Sequence, residues 1–378
     1  MQQDTAQFIG SGIYRGSSYG PWHPLRIPRV PTVIDLARAL GWLPPGRYVT
    51  SPRARPAALT AFHTPAYVAA LMEAEARQEV SDEVRRRHGL GTPSNPVFPE
   101  MFRRPATAVG GSILAGELVA GGGAAFNPGG GTHHGFPDRA AGFCYFNDPV
   151  FAILSLRARG LRRVAYIDID AHHPDGVAAA FDADPEVLLV SLHEAGRWPR
   201  TGAEGDRGDA GSQWNLPLVS GASDTDARAV LDEVVGPLVA AFRPEAVVLQ
   251  CGADAVTEDP QSRLCWSNRV HLAALALLRP LAPRLVLLGG GGYNPWSVAR
   301  CWTALWGALS GKELPDRLPP AASAVLSALR WDGQARVTVP PAEWTETLVD
   351  PPREAALLPE TRAMLARATA RLRAMAAA

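Results

Sequence analysis

The stretch Tyr166-Ile167-Asp168-Ile169-Asp170-Ala171-His172-His173-Pro174-Asp175-Gly176 runs from an apolar segment straight into a cluster of carboxylates and imidazoles. A short apolar run of this kind is consistent with a buried strand. Side chains alternate along a strand, so Asp168, Asp170 and His172 are predicted to share one side. Asp170 and His172 then offer an oxygen and a nitrogen to one divalent cation. The stretch therefore predicts a metal site at the end of a strand.

Other parts of the chain carry signals that fit such a site. The pair His133-His134 follows three glycines, which allow the backbone to approach a ligand closely. Asp254 ends an apolar run that begins near Ala246, and Tyr293 follows four glycines. A lone D-x-H sequence is usually a buried, hydrogen-bonded pair. Two carboxylates and one imidazole, however, leave open positions for water and substrate, which is the pattern of catalytic zinc.

Length, charge and composition indicate how many domains to expect and which kinds of partner to exclude. The chain has 378 residues, a formal net charge of zero and a pI near 7.1. An α/β protein of this length often forms one domain, which we expect here. The neutral balance gives no general attraction to nucleic acid or to acidic membranes. We therefore expect neither nucleic acid nor membrane as a partner.

The chain carries no signal for export or for a membrane anchor. Its first residues, MQQDTAQFIG, lack a basic region followed by a long apolar stretch, and no apolar run of about 18 residues occurs. The cysteines are scattered without a C-x-x-C pair, which argues against a disulfide framework or a thiolate zinc site. They are Cys144, Cys251, Cys265 and Cys301. A reduced cytoplasmic location is expected.

After Gly122 the sequence alternates between apolar runs and helical patterns. The predicted strands are Arg163–Asp170, Val187–His193, Ala246–Asp254 and Leu285–Gly290; the predicted helices are Asp148–Arg159, Asp224–Phe242, Asn268–Leu281 and Pro295–Leu309. Such alternation predicts an α/β fold with a mainly parallel sheet covered by helices on both faces. Functional groups then gather in loops at the carboxyl ends of the strands.

Both ends of the chain are less regular. In the N-terminal third we predict a helix at Thr32–Leu40 and a loop at Leu90–Pro99 that forms part of a rim. The tail from Leu314 contains three Pro-Pro pairs and ends in a predicted helix at Pro359–Ala376. We expect this tail to pack on the core without supplying chemistry.

Taken together, the motifs resemble the zinc-dependent histone deacetylase family of arginase-like enzymes, and within it the bacterial acetoin-utilisation deacetylases. The matching stretches are GGGTHHG at 129–135, GFCYFND at 142–148, YIDIDAHHPDG at 166–176, SLHEAGRWPRTG at 191–202, QCGAD at 250–254 and GGGGYNPWSVARCWT at 289–303. The resemblance implies a single arginase/deacetylase-like domain over residues 1–378. Its catalytic core would span about residues 10–310, and residues 311–378 would be a C-terminal extension packed on that core.

The resemblance also implies the reaction and its zinc ligands. One catalytic zinc ion would be held by Asp170, His172 and Asp254. The activity would be hydrolysis of the acyl-lysine side-chain amide on a protein or peptide. Zinc lowers the pKa of a bound water and polarises the amide carbonyl.

Two imidazoles and one phenol complete the implied catalytic set. His134 would act as general base, with Asp175 orienting it. His133 would be its electrostatic partner, supported by Asp168. Tyr293 would donate a hydrogen bond to the developing oxyanion.

The family's narrow acyl-lysine tunnel would be lined by Gly142, Phe143, Trp198 and Gly291. The family more often has phenylalanine at position 198. Ser94 occupies the place of an acidic residue that grips the substrate backbone in many relatives, and Gln261 replaces a usual apolar rim residue. Pro174 stands where a glycine is usual, and proline restricts the preceding residue to extended conformations.

The resemblance further implies one or two structural sites for K⁺ or Na⁺. The first would use Asp168, Ser191 and Leu192, together with the carbonyls of Asp170 and His172. A second would use carbonyls of Phe181, Asp184 and Val187. Arg29 would line the cavity beneath the zinc.

Several competing functions remain open on the sequence. The same chemistry could act on an acetylpolyamine or another small amide, although Ser94 and Gln261 supply no charge for a cationic tail. A non-catalytic acyl-lysine-binding scaffold would retain the pocket but would typically have lost a ligand, a catalytic histidine or the tyrosine. A binuclear manganese enzyme needs a D-x-D pair, whereas Asp254 is followed by Ala255-Val256. Nucleotide binding lacks both the P-loop and the dinucleotide motif.

Overall fold

The structure, a computed structural model, describes residues 6–331 and 339–377. Its centre is one sheet of eight parallel strands in the order β2-β1-β3-β8-β7-β4-β5-β6. The strands are Gln7–Gly10 (β1), Tyr48–Thr50 (β2), Gly123–Asn127 (β3), Val164–Asp168 (β4), Val187–Glu194 (β5), Gln213–Leu218 (β6), Ala246–Gln250 (β7) and Arg284–Leu288 (β8). The predicted α/β fold is confirmed, and the sheet is wholly parallel.

The strands are connected by helices and loops. The α-helices are Ile13–Gly16 (α1), Arg29–Ala39 (α2), Pro56–Leu59 (α3), Pro65–Arg77 (α4), Asp82–His88 (α5), Arg103–Val119 (α6), Asp148–Arg157 (α7), Asp175–Ala180 (α8), Asp224–Val230 (α9), Gly236–Phe242 (α10), Arg269–Leu278 (α11), Pro295–Leu309 (α12), Pro320–Ser327 (α13), Ala342–Glu346 (α14) and Pro359–Ala377 (α15). A π-helical segment, Leu231–Val235, joins α9 to α10. Within residues 6–331 and 339–377, no helix combines the length and apolarity that a membrane span requires.

Alternate side chains of each central strand enter two different cores. In β4, Ala165 and Ile167 pack in the core that contains α11 and α12, whereas Val164 and Tyr166 pack in the core that contains α7. This alternation requires apolar side chains at every position of the strand, which explains the unbroken apolar runs in the sequence. Burying both faces leaves only the strand ends free to carry polar chemistry.

The helices with regular patterns lie close to their predicted bounds, whereas the strands predicted at Arg163–Asp170 and Ala246–Asp254 end earlier, at Asp168 and Gln250. Pro295–Leu309 is a helix over the whole predicted range, and Asp224–Phe242 is helical throughout, with the π segment in its middle. The helix predicted at Thr32–Leu40 begins three residues earlier, at Arg29, and ends at Ala39.

The prediction missed several elements, all with weak local patterns. β1 and β2 are only 4 and 3 residues long, and β6 contains Asn215 and Pro217. α6 was also missed, because its three glycines lower helix propensity. A Cβ on Gly110 would lie 1.9 Å from the carbonyl oxygen of Pro52. Tertiary packing therefore requires at least one residue that weakens the local helix signal.

The C-terminal segment packs on helices of the sheet. α13 contacts α2, α14 contacts α12, and α15 contacts both α9 and β6. Arg300 of α12 and Asp350 form a buried ion pair, with 2.6 Å between Nη1 and Oδ1. The division into a core of about residues 10–310 and an extension at 311–378 stays a prediction. Its parts at 1–5, 332–338 and 378 lie outside the described residues.

Candidate metal centre and acyl-binding site

The site forms where three neighbouring strands end. β8, β7 and β4 are adjacent in the sheet, so their carboxyl ends open on one edge. The segment after β4 carries Asp170 and His172, the segment after β7 carries Asp254, and the glycine run after β8 leads to Tyr293. The parallel topology thus brings together groups that are more than 120 residues apart in the chain.

The predicted metal ligands converge in the structure. One ligand atom from each of Asp170, His172 and Asp254 lies within 4.8 Å of the others. His172 Nδ1 is 3.1 Å from Asp170 Oδ1 and 3.0 Å from Asp254 Oδ2. Both carboxylates are buried. Two oxygens and one nitrogen in this arrangement form a donor set that suits zinc.

Electrostatics support a cation at this point. Burial lowers the pKa of His172, but the carboxylates of Asp170 and Asp254 outweigh burial and raise that pKa to about 10. The two carboxylates therefore stabilise a positive charge on the imidazole in the absence of a metal. A divalent cation would compensate both carboxylates and leave the imidazole neutral as a ligand. The residues present fit a zinc ion.

Glycines make room for the carboxylates. A Cβ on Gly252 would lie 2.0 Å from Asp170 Oδ2, and one on Gly291 would lie 2.1 Å from Asp254 Oδ2. The backbone N–H of Gly291 also donates to Asp170 Oδ2 over 2.8 Å. Side chains at these positions would displace the carboxylates, so the glycine runs serve the geometry of the cluster.

Each histidine of the adjacent pair contacts the carboxylate expected for it. His133 Nδ1 is 2.8 Å from Asp168 Oδ2, and His134 Nδ1 is 2.7 Å from Asp175 Oδ1. The two rings lie 4.0 Å apart between centroids. A carboxylate at Nδ1 fixes the tautomer, so Nε2 of a neutral ring is the proton acceptor.

The surroundings shift the pKa values of the two imidazoles in opposite directions. Burial lowers the pKa of His133, but the charges of Asp168 and Asp170 raise it to about 9. Burial and the neighbouring His133 lower the pKa of His134 to about 4, against the opposing effect of Asp175. Paired titratable groups with opposite shifts are typical of acid–base sites.

Two buried side chains without an assigned role also shape the site. Asp148 accepts hydrogen bonds from the backbone N–H groups of Gly131 and Thr132 over 3.0 and 2.8 Å. Gln250 donates to Asp170 Oδ2 over 3.0 Å. Asp148 lies in the GFCYFND motif and Gln250 in QCGAD, so both motifs contained the signal. An aspartate or a glutamine in such a motif does not by itself indicate which loop its side chain will contact.

Tyr293 lies beside the cluster with its backbone fixed. Its N–H donates to Asp259 Oδ2 over 2.5 Å, and its ring lies 5.7 Å from that of Phe143. Burial and the charges of Asp254 and Asp170 hold the pKa of the phenol well above its usual value. The phenol is therefore a neutral hydrogen-bond donor near neutral pH.

The histidine pair, Asp170, His172 and Tyr293 line one cavity. Its further walls come from Tyr19, Leu25, Arg29, Gly131, Thr132, Gly142, Phe143, Cys144, Gly290 and Gly291. Arg29 Nη1 donates to the Gly290 carbonyl over 2.6 Å, and its guanidinium lies 5.3 Å from the centroid of the Trp302 ring. Apart from the metal cluster, the histidine pair and Arg29, the side chains that line the cavity are uncharged.

The residues predicted to bind the substrate divide into two groups. Some lie at the cavity, and others lie on loops behind its walls. Trp198 is 47% exposed, and its ring lies 4.6 Å from that of His134. Gly142 has a φ of 51° and fits between these rings, because a Cβ would be 2.4 Å from Trp198. Trp198 contacts the cavity wall at His134 but does not itself line the cavity, and neither do Ser94 and Gln261. They lie on loops that support its walls: the Ser94 carbonyl is 3.2 Å from His23 Nε2, and Gln261 N–H donates to Asp259.

The residues expected around K⁺ or Na⁺ lie close together. Asp168 on β4 is paired with Ser191 on β5, and the N–H of Asp170 donates to Asp168 Oδ1 over 3.0 Å. At the second expected position, backbone bonds run from Asp184 to Phe181 and from Val187 to Asp184.

Comparison with known proteins identifies the family. The sequence profile of the histone deacetylase domain matches residues 23–309. The acetoin utilization protein AcuC of Bacillus subtilis (strain 168) is 33% identical over 352 residues, covering 90% of this chain and 89% of AcuC. Histone deacetylase 1 of Oryza sativa subsp. japonica is 37% identical over 309 residues, covering 80% of this chain but only 59% of the plant protein.

Solved structures agree with the sequence matches. The crystal structure of an HDAC homolog from Aquifex aeolicus superimposes with a TM-score of 0.90 at 36% identity, covering 96% of this chain and 99% of the homolog. A crystal structure of an HDAC homolog complexed with SAHA matches equally well. The sequence and structural matches extend over most of the chain, including the segments that carry the cluster. The chain belongs to the histone deacetylase family.

Proposed function

We propose that this protein hydrolyses the side-chain amide of acyl-lysine in a protein or peptide. The products are a lysine side chain with a free amine and a short carboxylate. The observation that carries the proposal is the position of two Asp-supported histidines beside the Asp170, His172 and Asp254 cluster. The family membership agrees with this chemistry. AcuC of Bacillus subtilis is a bacterial relative that aligns with 90% of this chain.

Asp170, His172 and Asp254 would hold one zinc ion. When bound, zinc supplies a Lewis acid that polarises the amide carbonyl and makes water more acidic. The histidine contributes a neutral nitrogen, and Gly291 N–H and Gln250 hold the Asp170 carboxylate in place. We further propose K⁺ or Na⁺ at Asp168, Ser191 and Leu192, where a monovalent cation would offset a buried carboxylate.

His134 would remove the proton from the attacking water. Asp175 binds Nδ1 and leaves Nε2 as the acceptor, so the ring is already in the tautomer that a general base requires. The same nitrogen can then deliver a proton to the leaving lysine amine. His133, held by Asp168, would remain a positive neighbour that stabilises the negative charge formed at the carbonyl oxygen.

Tyr293 would donate its phenolic proton in a hydrogen bond to that oxygen. Its backbone is fixed by Asp259 and its ring by Phe143, so little reorganisation is needed during the reaction. Gly142, Phe143 and Trp198 would bind the aliphatic stem of the acyl-lysine between apolar surfaces. A linear ligand such as SAHA, bound by the solved HDAC homolog, would enter by the same route.

The test is turnover of acetyl-, propionyl-, butyryl-, lactyl- and longer-acyl-lysine peptides beside acetylpolyamines, using zinc-reconstituted protein. We expect cleavage of lysine amides and inhibition by SAHA. Preferred cleavage of acetylpolyamines would replace the protein substrate with a small amine. Zinc binding with peptide binding but no turnover would instead identify an acyl-lysine-binding scaffold.

A further inference from the structure

The mouth of the cavity is a ring of loops joined by direct contacts. His23 stacks against Tyr19 at 4.7 Å and meets the edge of Phe143 at 4.5 Å, while its Nε2 lies by the Ser94 carbonyl. Phe143 in turn contacts Tyr293. The loop at 19–26 is therefore part of the same wall as the hairpin that carries Gly142.

Glu194 connects the other side of the ring. Its carboxylate accepts from the Arg197 guanidinium, from the Ser262 hydroxyl over 3.2 Å and from the Arg263 N–H over 2.9 Å. Arg197 precedes Trp198, whose ring contacts His134. One buried carboxylate thus fixes the loop with Trp198 beside the loop with Gln261 and Arg263.

Two tryptophans on this ring face solvent. Trp22, next to His23, is 87% exposed, and Trp198 is 47% exposed. Arg26 Nη1 donates to the Pro21 carbonyl over 2.5 Å, which holds the loop that presents Trp22. Exposed indoles beside a binding cavity offer apolar contact to a chain lying across the mouth.

Four acidic groups on these loops are already engaged. Glu194 is 5% exposed and Asp259 is 4% exposed, and both accept backbone N–H groups. Glu258 pairs with Arg353, and Asp138 pairs with Arg139. These carboxylates are therefore not free to attract a cationic substrate.

Two arginines on the same loops, in contrast, have no acidic partner in the part of the chain that the structure describes. Arg200 and Arg263 are exposed, and neither has an acidic partner among residues 6–331 and 339–377. Arg200 lies two residues after Trp198, and the backbone of Arg263 is held at Glu194. Beside Trp198 the mouth thus carries two guanidiniums that no described residue neutralises in an ion pair, although the whole chain is neutral.

We infer that this rim, defined as Trp22, Trp198, Arg200 and Arg263, recognises acyl-lysine within a peptide segment whose flanking residues are acidic. The inference rests on the proposed function and specifies its substrate class. The indoles contact the peptide, and the two guanidiniums bind its carboxylates. The same charges disfavour an acetylpolyamine, whose remaining amines are cationic.

The test uses three acetyl-lysine peptides that differ only in their flanks, which are Asp, Ala or Arg. At 50 mM NaCl we expect kcat/KM for the Asp-flanked peptide to exceed that of the Arg-flanked peptide by about tenfold, because two exposed ion pairs each contribute modestly. The ratio falls to about twofold at 500 mM NaCl, where salt screens exposed charges. Equal rates for the three peptides, or faster cleavage with Arg flanks, overturn the inference.

Charge variants identify the residues responsible. In the double variant Arg200→Gln/Arg263→Gln the ratio of Asp-flanked to Arg-flanked kcat/KM falls to about one, whereas Arg200→Lys/Arg263→Lys keeps most of it. Arg163→Gln, an exposed arginine directly before β4 and so at the opposite end of that strand from the site, serves as matched control and leaves the ratio unchanged. A ratio that persists in the Gln double variant places the selectivity elsewhere and contradicts the assignment.

Binding measurements separate this inference from the proposed function. Fluorescence anisotropy of the same three labelled peptides, with zinc-reconstituted protein, reports flank preference whether or not the amide is cleaved. Tighter binding of the Asp-flanked peptide without turnover refutes the hydrolase and keeps the rim. Turnover with no preference in either kcat/KM or Kd keeps the hydrolase and refutes the rim.

Discussion

At the residue scale, Tyr293 contributes a hydrogen bond that matters only when charge develops on the substrate. Replacing it with phenylalanine keeps the ring against Phe143 and the backbone bond to Asp259. We expect Tyr293→Phe to reduce kcat by about 10²- to 10³-fold, the usual loss for one oxyanion donor. Peptide deacylation assays measure the loss. Zinc content and melting temperature should match those of the unmodified protein, and a large fall in either would assign Tyr293 a structural role.

Gly291 tests the close packing around the metal ligands. A methyl group there would lie 2.1 Å from Asp254 Oδ2 and 2.9 Å from Asp170 Oδ2, so at least one carboxylate must move. We expect Gly291→Ala to weaken zinc affinity by about 10- to 100-fold, as for other changes that reposition metal ligands. Competition with a zinc-binding dye gives the affinity. Gly12→Ala is the control, because a Cβ there meets nothing within 4 Å; unchanged affinity in Gly291→Ala would contradict the proposed ligand set.

At the element scale, the contact between α12 and the segment around Asp350 joins the C-terminal part to the sheet. Arg300 is 1% exposed and pairs with Asp350, which also accepts the Asn268 N–H over 2.9 Å. Asp350→Ala leaves a buried guanidinium without its counter-charge, so we expect a loss of about 3–5 kcal/mol in the free energy of unfolding. Denaturant titration measures it.

The matched control for Asp350→Ala is an exposed ion pair in the same region. Arg317 and Glu346 are paired, with side chains 75% and 41% exposed. Glu346→Ala should cost no more than about 1 kcal/mol. We propose that residues 311–378 fold with the core as one unit. Equal effects of the two substitutions would contradict this proposal.

The elements that could be predicted from the sequence are those whose pattern depends on burial alone. β4, β5, β7 and β8 are apolar at nearly every position because helices cover both faces. β6, at the sheet edge, includes Asn215, whose side chain donates to the Asp206 carbonyl, and no local period indicates such a strand. The motifs predicted the metal ligands and the histidine pair for the same reason: they sit directly after the apolar strands.

The supporting contacts could not be predicted in this way. Glu194 unites two rim loops through bonds to residues 68 and 69 positions away. Such long-range contacts depend on the packed loops, and a single glutamate next to a strand carries no signal for them. The same holds for Arg200 and Arg263 of the rim. Their role depends on the carboxylates of Glu194 and Asp259 being engaged by backbone N–H groups, which no local sequence pattern indicates.

At the scale of the whole molecule, the buried carboxylates at the carboxyl ends of the strands lower the stability of the fold. Asp168, Asp170 and Asp254 are buried close to one another, and Asp170 and Asp254 interact directly with His172. Buried like charges destabilise a fold unless a cation compensates them. The same cluster that supplies the chemistry should therefore couple metal binding to folding.

We expect a chelator to abolish amide hydrolysis and also to lower the melting temperature, and stoichiometric zinc to restore both. A ligand that binds only the folded state stabilises it by about 4.1 kcal/mol when its free concentration is 1,000 times Kd. Calorimetry at buffered free zinc concentrations measures the shift directly, independently of turnover. Asp254→Asn, which removes one charge and weakens the donor set, should reduce the zinc-dependent shift while raising the stability of the metal-free protein. A zinc-dependent shift of full size in that variant would mean that zinc stabilises the fold at another place, and that the cluster at the ends of β4 and β7 is not its site.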